Sequence, residues 1–390
     1  MSKKKQKSTP TTPSIWDPKK LDNLHFTWDR PLAYGKTWNF AIGERESGKS
    51  VNSWIKLFNA FYYRNRPSLV LRRRIADITS AYIDDTATLL NKFLLPEYQI
   101  QLLYLKGDVN SGIADIKVGQ AGQSYSYAAI KQLPTFFRII GLSCPMNRIK
   151  SLLLRDVQYI FFDEMLANTR AGEKYLSGDE HFLISEIYTT YNREASTPIR
   201  ILAAGNPYSV YCPLFSGLGV DSSKLKPGAF VIGPSYIIDC FQVPPELKDI
   251  ILRNNPMYQF DDAYKRYAFN GESINDQNIR LHKCEPRAFK LKWTFKIGND
   301  FITVHRGTYK DNQGTAKYWI CAHKSDWLGK VSKRRKIIVF DFGDLINGAV
   351  KWGTDDRLEL IGLKDAMNKR QVMYNSVDAS YMMEDISMYF

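Results

Sequence analysis

Between residues 36 and 215 the chain alternates short, wholly apolar runs with longer stretches of helical period. TWNFAIG, SLVLRRR, YIFFDE and IRILAAGNP are apolar at consecutive positions, as strands covered on both faces are. VNSWIKLFNAFYYR and HFLISEIYTTYNRE carry apolar residues at helical spacing between some of them. Strands of this kind alternating with amphipathic helices predict an α/β domain over residues 15–242, a mainly parallel sheet between helices.

The pattern ends near Val243. There VPPELKDIILRNNPMYQFDDAYKRYAFNGES, with Pro244, Pro245 and Pro256 bracketing short helices, predicts a helical linker subdomain over residues 243–286. Beyond Pro286, KLKWTFKIG, NDFITVHRGTY and AKYWICAH read as neighbouring strands, with hairpin signals at Gly298-Asn299-Asp300 and Asp311-Asn312-Gln313-Gly314. They predict a smaller strand-rich α+β domain over residues 287–390. Residues 1–14 hold four lysines and no acid and read as a flexible basic arm, although a solubilising tail or an expression remnant fits them equally.

A length of 390 residues has room for two or three domains, and 44% hydrophobic with 24% charged residues excludes wholesale disorder. Charge changes the picture more. Lys and Arg number 54 against 40 Asp and Glu, a net charge of +14 that suits a polyanion such as nucleic acid or an anionic membrane. No run approaches the ~18 apolar residues that cross a bilayer, and the lysine-rich start lacks an apolar signal core. The expectation is an intracellular protein with no membrane partner. Five cysteines without a C-x-x-C pair and five scattered histidines predict reduced, packed thiols and no His/Cys metal site.

Candidate chemistry begins at Gly43-Glu44-Arg45-Glu46-Ser47-Gly48-Lys49-Ser50, a G-x-x-x-x-G-K-[ST] string directly after the apolar run Asn39 to Ile42 and before a helix starting near Val51. Such a loop turns successive N–H groups toward phosphate oxygens at a helix N-terminus. Gly43, Ser47, Gly48, Lys49 and Ser50 are the candidate ATP contacts, with Lys49 on the β and γ phosphates and Ser50 on Mg²⁺; an ordinary surface turn is the alternative. The string predicts a second strand ending in acids, and Tyr159-Ile160-Phe161-Phe162-Asp163-Glu164 supplies it, 114 residues after Lys49. Asp163 fits a metal ligand and Glu164 a general base for water. A third run, Ile201 to Ala204, ends in Gly205-Asn206-Pro207, where Asn206 fits either a γ-phosphate sensor or a plain turn residue. Arg193, in Asn192-Arg193-Glu194 at a helix end, fits either an arginine finger for a neighbouring subunit or a surface salt bridge. Arg72-Arg73-Arg74 fit contacts to DNA or phosphate, or a solvated cluster.

NFAIGERESGKS, LVLRRR, YIFFDEM, NRE before a strand and ILAAGNPYSVYCPLF resemble, in that order and at similar separations, the DNA-packaging ATPases of small protein-primed tailed phages of the phi-twenty-nine type, relatives of terminase large subunits. The resemblance covers most of residues 36–215. Arg45 matches an arginine of that family's loop, and Lys150, 13 residues before Asp163, matches a lysine that acts across the subunit interface. The family has an arginine where this chain has Tyr191, so the trans-acting role stays open among Arg193, Lys150 and Arg148. The resemblance also implies a C-terminal domain of RNase H-like fold that is degenerate as a nuclease. The residues agree in part. Two-metal cleavage needs acids on the leading strands, whereas Lys292 to Tyr309 presents Thr, Lys, His and Arg. Ile337 to Gly343 does mimic an acid-bearing strand through Asp341, but only 49 residues follow that acid. Lys330, Lys333, Arg334, Arg335 and Lys336 read as a nucleic-acid or docking patch.

Together these readings point to an ATP- and Mg²⁺-dependent ring motor that moves double-stranded viral DNA into a preformed procapsid through the portal, in the host cytoplasm, without nuclease activity. The resemblance implies a homo-oligomer, a pentamer in that family, and leaves a structural RNA partner open. A helicase-like or DNA-remodelling ATPase, and a non-hydrolysing nucleic-acid scaffold, are the alternatives.

Overall fold

The computed structural model describes residues 14–152, 154–168, 173, 175–176, 180–193, 195–208, 212–220, 224–254, 280–282, 288–297, 300–311, 314–323, 339–341, 354–369, 371–376, 379–380, 383 and 386. Residues 1–13 of the basic arm, Glu194, Cys284, most of the 243–286 stretch and the Lys330 to Lys336 cluster lie outside them. The chain divides into two compact units, Met1–Ile274 and Asn275–Phe390.

The described residues of the first unit form nine strands: β1 (Trp38–Gly43), β2 (Ser68–Arg72), β3 (Ile100–Leu103), β4 (Ile113–Gln120), β5 (Thr135–Gly141), β6 (Tyr159–Phe162), β7 (Arg200–Gly205), β8 (Phe230–Ile232) and β9 (Tyr236–Phe241). Their order is β3-β4-β5-β2-β6-β7-β1-β9-β8. From β5 to β9 every pairing is parallel, and the antiparallel strands β3, β4 and β8 flank this block. Alternate side chains enter two cores, as a strand period of two requires. Ala41, Val70 and Phe161 pack with Trp54, Phe58 and Phe136 on one face, while Phe40, Leu71, Ile160 and Phe162 pack with Ile184, Ile187 and Tyr191 on the other. Helix α1 (Lys49–Arg64) buries Trp54, Leu57, Phe58 and Phe61, a stripe at i, i+3, i+4 and i+7. Helices α2 (Ser80–Asn91), α3 (Glu180–Asn192) and α4 (Pro245–Asn254) also belong to this unit. The last of these lays Leu247 and Ile251 against Val243, Leu24, Tyr208 and Phe241.

Strands β5 and β9 stand out least in the sequence, since TFFRIIG and YIIDCF each carry a charge in an apolar run. Arg138 is nonetheless buried, answered by the Asp115 carboxylate on β4 at 2.6 and 3.0 Å. Asp239 is buried too, and that burial raises its pKa against the opposing field of Arg30.

The described residues of the second unit form five strands, β10 (Lys290–Ile297), β11 (Asp300–Asp311), β12 (Gly314–His323), β13 (Val339–Asp341) and β14 (Val372–Tyr374), in the order β13-β10-β11-β12-β14. The first three form an antiparallel meander, with β13 added parallel to β10 and β14 parallel to β12. Helix α5 (Thr354–Asn368) supplies Leu360, Leu363 and Ala366 to the core around Phe295, Ile302 and Ile320. The buried polar side chains of β10 and β11 are Thr294, Thr303 and His305. Among the described residues no group of three or more His, Cys, Asp or Glu is placed to share a metal ion.

Candidate active site

Parallel strands deliver their carboxyl ends to one edge, and here the ends of β1, β2, β6 and β7 bring Gly43, Arg72, Asp163 and Asn206 together. The loop from β1 into α1 turns through left-handed backbone at Glu46 (φ 58) and Gly48 (φ 83). A Cβ at Gly48 would lie 2.8 Å from the His25 Cβ, so both the turn and its close packing require glycine. Ser47 and Glu44 are fully covered, and the Ser47 carbonyl accepts from the Phe26 amide at 2.9 Å.

Lys49 points back into this loop. Its Nζ donates to the carbonyls of Gly43 (2.9 Å) and Glu44 (2.7 Å), to Ser47 Oγ (2.9 Å) and to Asn206 Oδ1 (3.4 Å). These four acceptors are all neutral. Burial pushes the ammonium pKa down to about 7, with Asp163 and Glu44 opposing and Arg45 adding to the shift. Ser50 Oγ donates to Asp163 Oδ1 at 3.1 Å, so two motifs far apart in the chain share one contact. Burial pushes Asp163 up to about 6, against the pull of Arg72 and the Ser50 hydrogen bond.

Glu164 follows in left-handed backbone (φ 56) with its side chain exposed, and its Oε2 accepts from Arg72 at 2.8 Å. The Arg72 guanidinium also lies over the Tyr82 ring, 4.7 Å from its centre. Arg73 turns inward. It pairs with the fully buried Glu180 at 2.8 Å and donates to the carbonyls of Glu164 (3.3 Å) and Met165 (2.6 Å). The Met165 amide in turn donates to the Ala204 carbonyl of β7 at 3.0 Å. The turn that carries the two acids is thus held from both sides. Arg72 and Arg73 are not a solvated cluster, because each meets an acid of its own chain; only Arg74 is exposed.

Neither a family model nor a curated protein matches the sequence. The chain is similar in fold to two phage packaging motors. Against the phi-28 gp11 DNA packaging motor the TM-score is 0.57 at 17% identity, over 94% of this chain and 98% of that one. Against the bacteriophage phi-29 viral genome packaging motor assembly it is 0.51 at 15% identity, over 93% and 100%. The likeness in fold runs the length of both chains.

The other sequence-derived candidates meet neighbours of their own or stand away from Lys49. Arg193 is exposed just after α3, beside the start of β7, where the Ile199 amide donates to Asn192 Oδ1 at 2.9 Å. That is the opposite edge of the sheet, and Arg193 has no ion-pair partner among the described residues. Lys150, in the short helix Met146–Ser151, pairs with Glu186 of α3, and Arg148 donates to the Ser111 carbonyl at 3.0 Å. Tyr191 is core, its hydroxyl donating to the Leu152 carbonyl at 2.8 Å. Arg45 reaches the Tyr208 hydroxyl at 2.9 Å, which joins the loop to the segment after β7.

For three residues the sequence carries no sign of the partner that the structure gives them. Glu180 reads there as one more helix-face acid, and Arg73 as one of three adjacent arginines. Glu44 occupies a variable position of the loop string, yet its buried carboxylate takes the Val243 amide and the Lys248 ammonium, the latter at 2.9 Å. Burial raises its pKa, and those two donors oppose the rise. Sequence offers no signal for such partners, since 199 residues separate even the nearer of them, Val243, from Glu44.

Proposed function

We propose that this protein is an ATP-driven motor that assembles as a ring and moves double-stranded DNA through the portal of a phage procapsid. The observation that carries the proposal is the Ser50–Asp163 contact beside the buried Lys49, set in a fold similar along its whole length to packaging motors. The residues suit Mg²⁺–ATP. A hydroxyl and a carboxylate are hard oxygen donors of the kind Mg²⁺ takes, and a buried ammonium held only by neutral oxygens has charge left to offset phosphate. Bound Mg²⁺–ATP supplies the phosphoanhydride whose cleavage drives the cycle.

The chain's own groups divide the work. Gly43 to Gly48 form the phosphate cradle, Lys49 neutralises the β and γ oxygens, and Ser50 and Asp163 hold the metal. Glu164 accepts the proton of the attacking water at Oε2, the atom that Arg72 holds in this structure, so Arg72 must release it for hydrolysis. Asn206 links the tip of Lys49 to β7, and Arg193, Lys150 or Arg148 completes a neighbouring subunit's site. DNA is gripped through phosphates rather than base edges, since a motor must pass any sequence. The C-terminal unit is a degenerate RNase H-like domain, a reading supported by its three-strand meander with β13 parallel to the first strand.

Hydrolysis by the purified chain, with and without blunt duplex DNA, tests the proposal. Lys49→Ala should abolish nucleotide binding, whereas Glu164→Gln should bind normally and hydrolyse about 10² to 10⁴ fold more slowly. Wild-type hydrolysis by the Gln variant would refute the base assignment, and failure of wild type to drive DNA into empty capsids would refute the motor.

A further inference from the structure

A second polar cleft lies at the opposite edge of the same sheet. It encloses about 530 Å³ and is lined by Arg64, Arg66, Gln158, Thr197, Pro198 and Arg200. The three arginines come from two places in the sequence, Arg64 and Arg66 on either side of Asn65 and Arg200 far along the chain, and are brought together by the fold. Helix α1 ends at Arg64 because Asn65 adopts left-handed backbone (φ 50), which turns the chain so that Arg66 leads into β2. Gln158 immediately precedes β6, and Arg200 opens β7.

The arginines are not spent on acids. Arg66 donates to Gln158 Oε1 at 3.1 Å, to Thr197 Oγ1 at 2.5 Å and to Ser196 Oγ at 2.8 Å, all neutral acceptors that fix its plane and leave its charge uncompensated. Arg64 and Arg200 have no carboxylate partner among the described residues, and no lining residue is acidic. Asp156, on the neighbouring loop, accepts from the Ser196 amide at 3.4 Å and is not part of the lining. Like charges gathered around one concavity repel unless an anion joins them. Guanidinium forks match phosphate oxygens in shape as well as charge, and a cleft of this size open to solvent admits a phosphate that remains part of a chain.

We propose that this cleft is a phosphodiester-binding site that grips the backbone of duplex DNA. The inference rests on the motor reading for the identity of the polyanion, and on the cleft alone for the place. Its position adds a consequence. Arg66 and Gln158 precede β2 and β6 and Arg200 opens β7, and the far ends of these strands carry Arg72, Asp163 and Asn206, so each strand links the two sites across roughly 16 to 20 Å, five or six residues at about 3.3 Å each.

The test is duplex binding by the full chain, followed by anisotropy of a labelled blunt DNA between about 50 and 200 mM salt. Arg64→Gln with Arg200→Gln removes two phosphate contacts, so the slope of log affinity against log salt should become shallower by about 2. Binding at the low-salt end should weaken, while DNA-free ATP hydrolysis stays at the wild-type rate. Arg64→Lys with Arg200→Lys keeps the charges and should keep the slope. A wild-type slope in the Gln pair overturns the inference and leaves the motor reading standing. Unchanged duplex binding with weakened binding of inorganic phosphate assigns the cleft to free phosphate and overturns it equally. Absence of duplex binding by the wild-type chain overturns both.

Discussion

Glu180→Ala should cost the first unit more than any surface change and reach the acids as well. The Glu180 carboxylate is fully buried and takes three donors, Arg73 Nε at 2.8 Å, the second Arg73 nitrogen at 3.5 Å and the Leu176 amide at 2.9 Å. Its loss leaves the Arg73 charge buried with two carbonyls and the faces of Tyr175 and Phe162, whose centres lie 5.0 and 5.4 Å away. Breaking one side of a buried pair costs about 3 to 5 kcal/mol; the ring faces and carbonyls that remain place this case near the lower end. Urea unfolding reads the loss, with Trp fluorescence as one probe and nucleotide binding as the other, so that the first unit's transition is followed apart from the second's. Replacing both partners with apolar residues, Arg73→Met with Glu180→Leu, should recover most of the stability. It should not recover activity. Arg73 also holds the carbonyls of Glu164 and Met165, and a misplacement of about 1 Å at the reacting groups costs up to about 10² in rate. A double variant that hydrolyses ATP at the wild-type rate would show that Arg73 does not position the acidic turn. Glu180→Ala within about 1 kcal/mol of wild type would contradict the buried-pair argument itself.

Nucleotide affinity should peak between about pH 6 and 7. Phosphate binding requires Lys49 protonated, and its free pKa of about 7 makes binding weaken as pH rises above that value; metal binding requires Asp163 ionised, and its pKa of about 6 makes binding weaken below it. Each limb changes by at most about tenfold per pH unit, and a calorimetric titration giving one monotonic trend would refute it. Arg193→Ala should leave ATP binding intact but lower hydrolysis, by as much as about 10³ to 10⁵ for a true trans arginine. Mixing it with Lys49→Ala subunits should restore turnover, and restoration with Lys150→Ala instead would transfer the role to Lys150. The full chain should show no Mn²⁺-dependent nicking of DNA, and nicking that disappears in Asp341→Ala would reverse the degenerate-nuclease reading.

The parallel strands that carry the site are legible because they are apolar on both faces and end in Gly, Asp-Glu or Gly-Asn, where chemistry interrupts burial. β1, β6 and β7 have that form, and β2 ends instead in Arg72-Arg73-Arg74. β5 and β9 hide behind Arg138 and Asp239, charges that sit in buried strands beside an opposite charge, Asp115 across the β4–β5 pair and the field of Arg30 on Asp239. The same limit governs the site. Ser50 and Asp163 are found by motif spacing, but Arg73–Glu180 and Glu44–Lys248 are pairings between ordinary-looking residues far apart in the chain. Such pairs leave no periodicity to read. The arginine cleft is hidden for a related reason, since Arg200 joins Arg64 and Arg66 only when β7 is placed with β6 alone between it and β2.

The grip of Val243 and Lys248 on Glu44 bears on where this protein can be divided. A cut after residue 242 looks natural from the sequence, since the last strand of the sheet ends at Phe241. It would nevertheless strip both donors from a carboxylate that has no exposure to water. Glu44 would then take up a proton or force the loop open, and in either case the fragment's nucleotide affinity would describe a loop that the whole chain does not possess. A fragment that keeps α4 through Asn254 retains the clasp, and the difference in nucleotide affinity between the two fragments measures how far the phosphate loop depends on chain beyond the sheet.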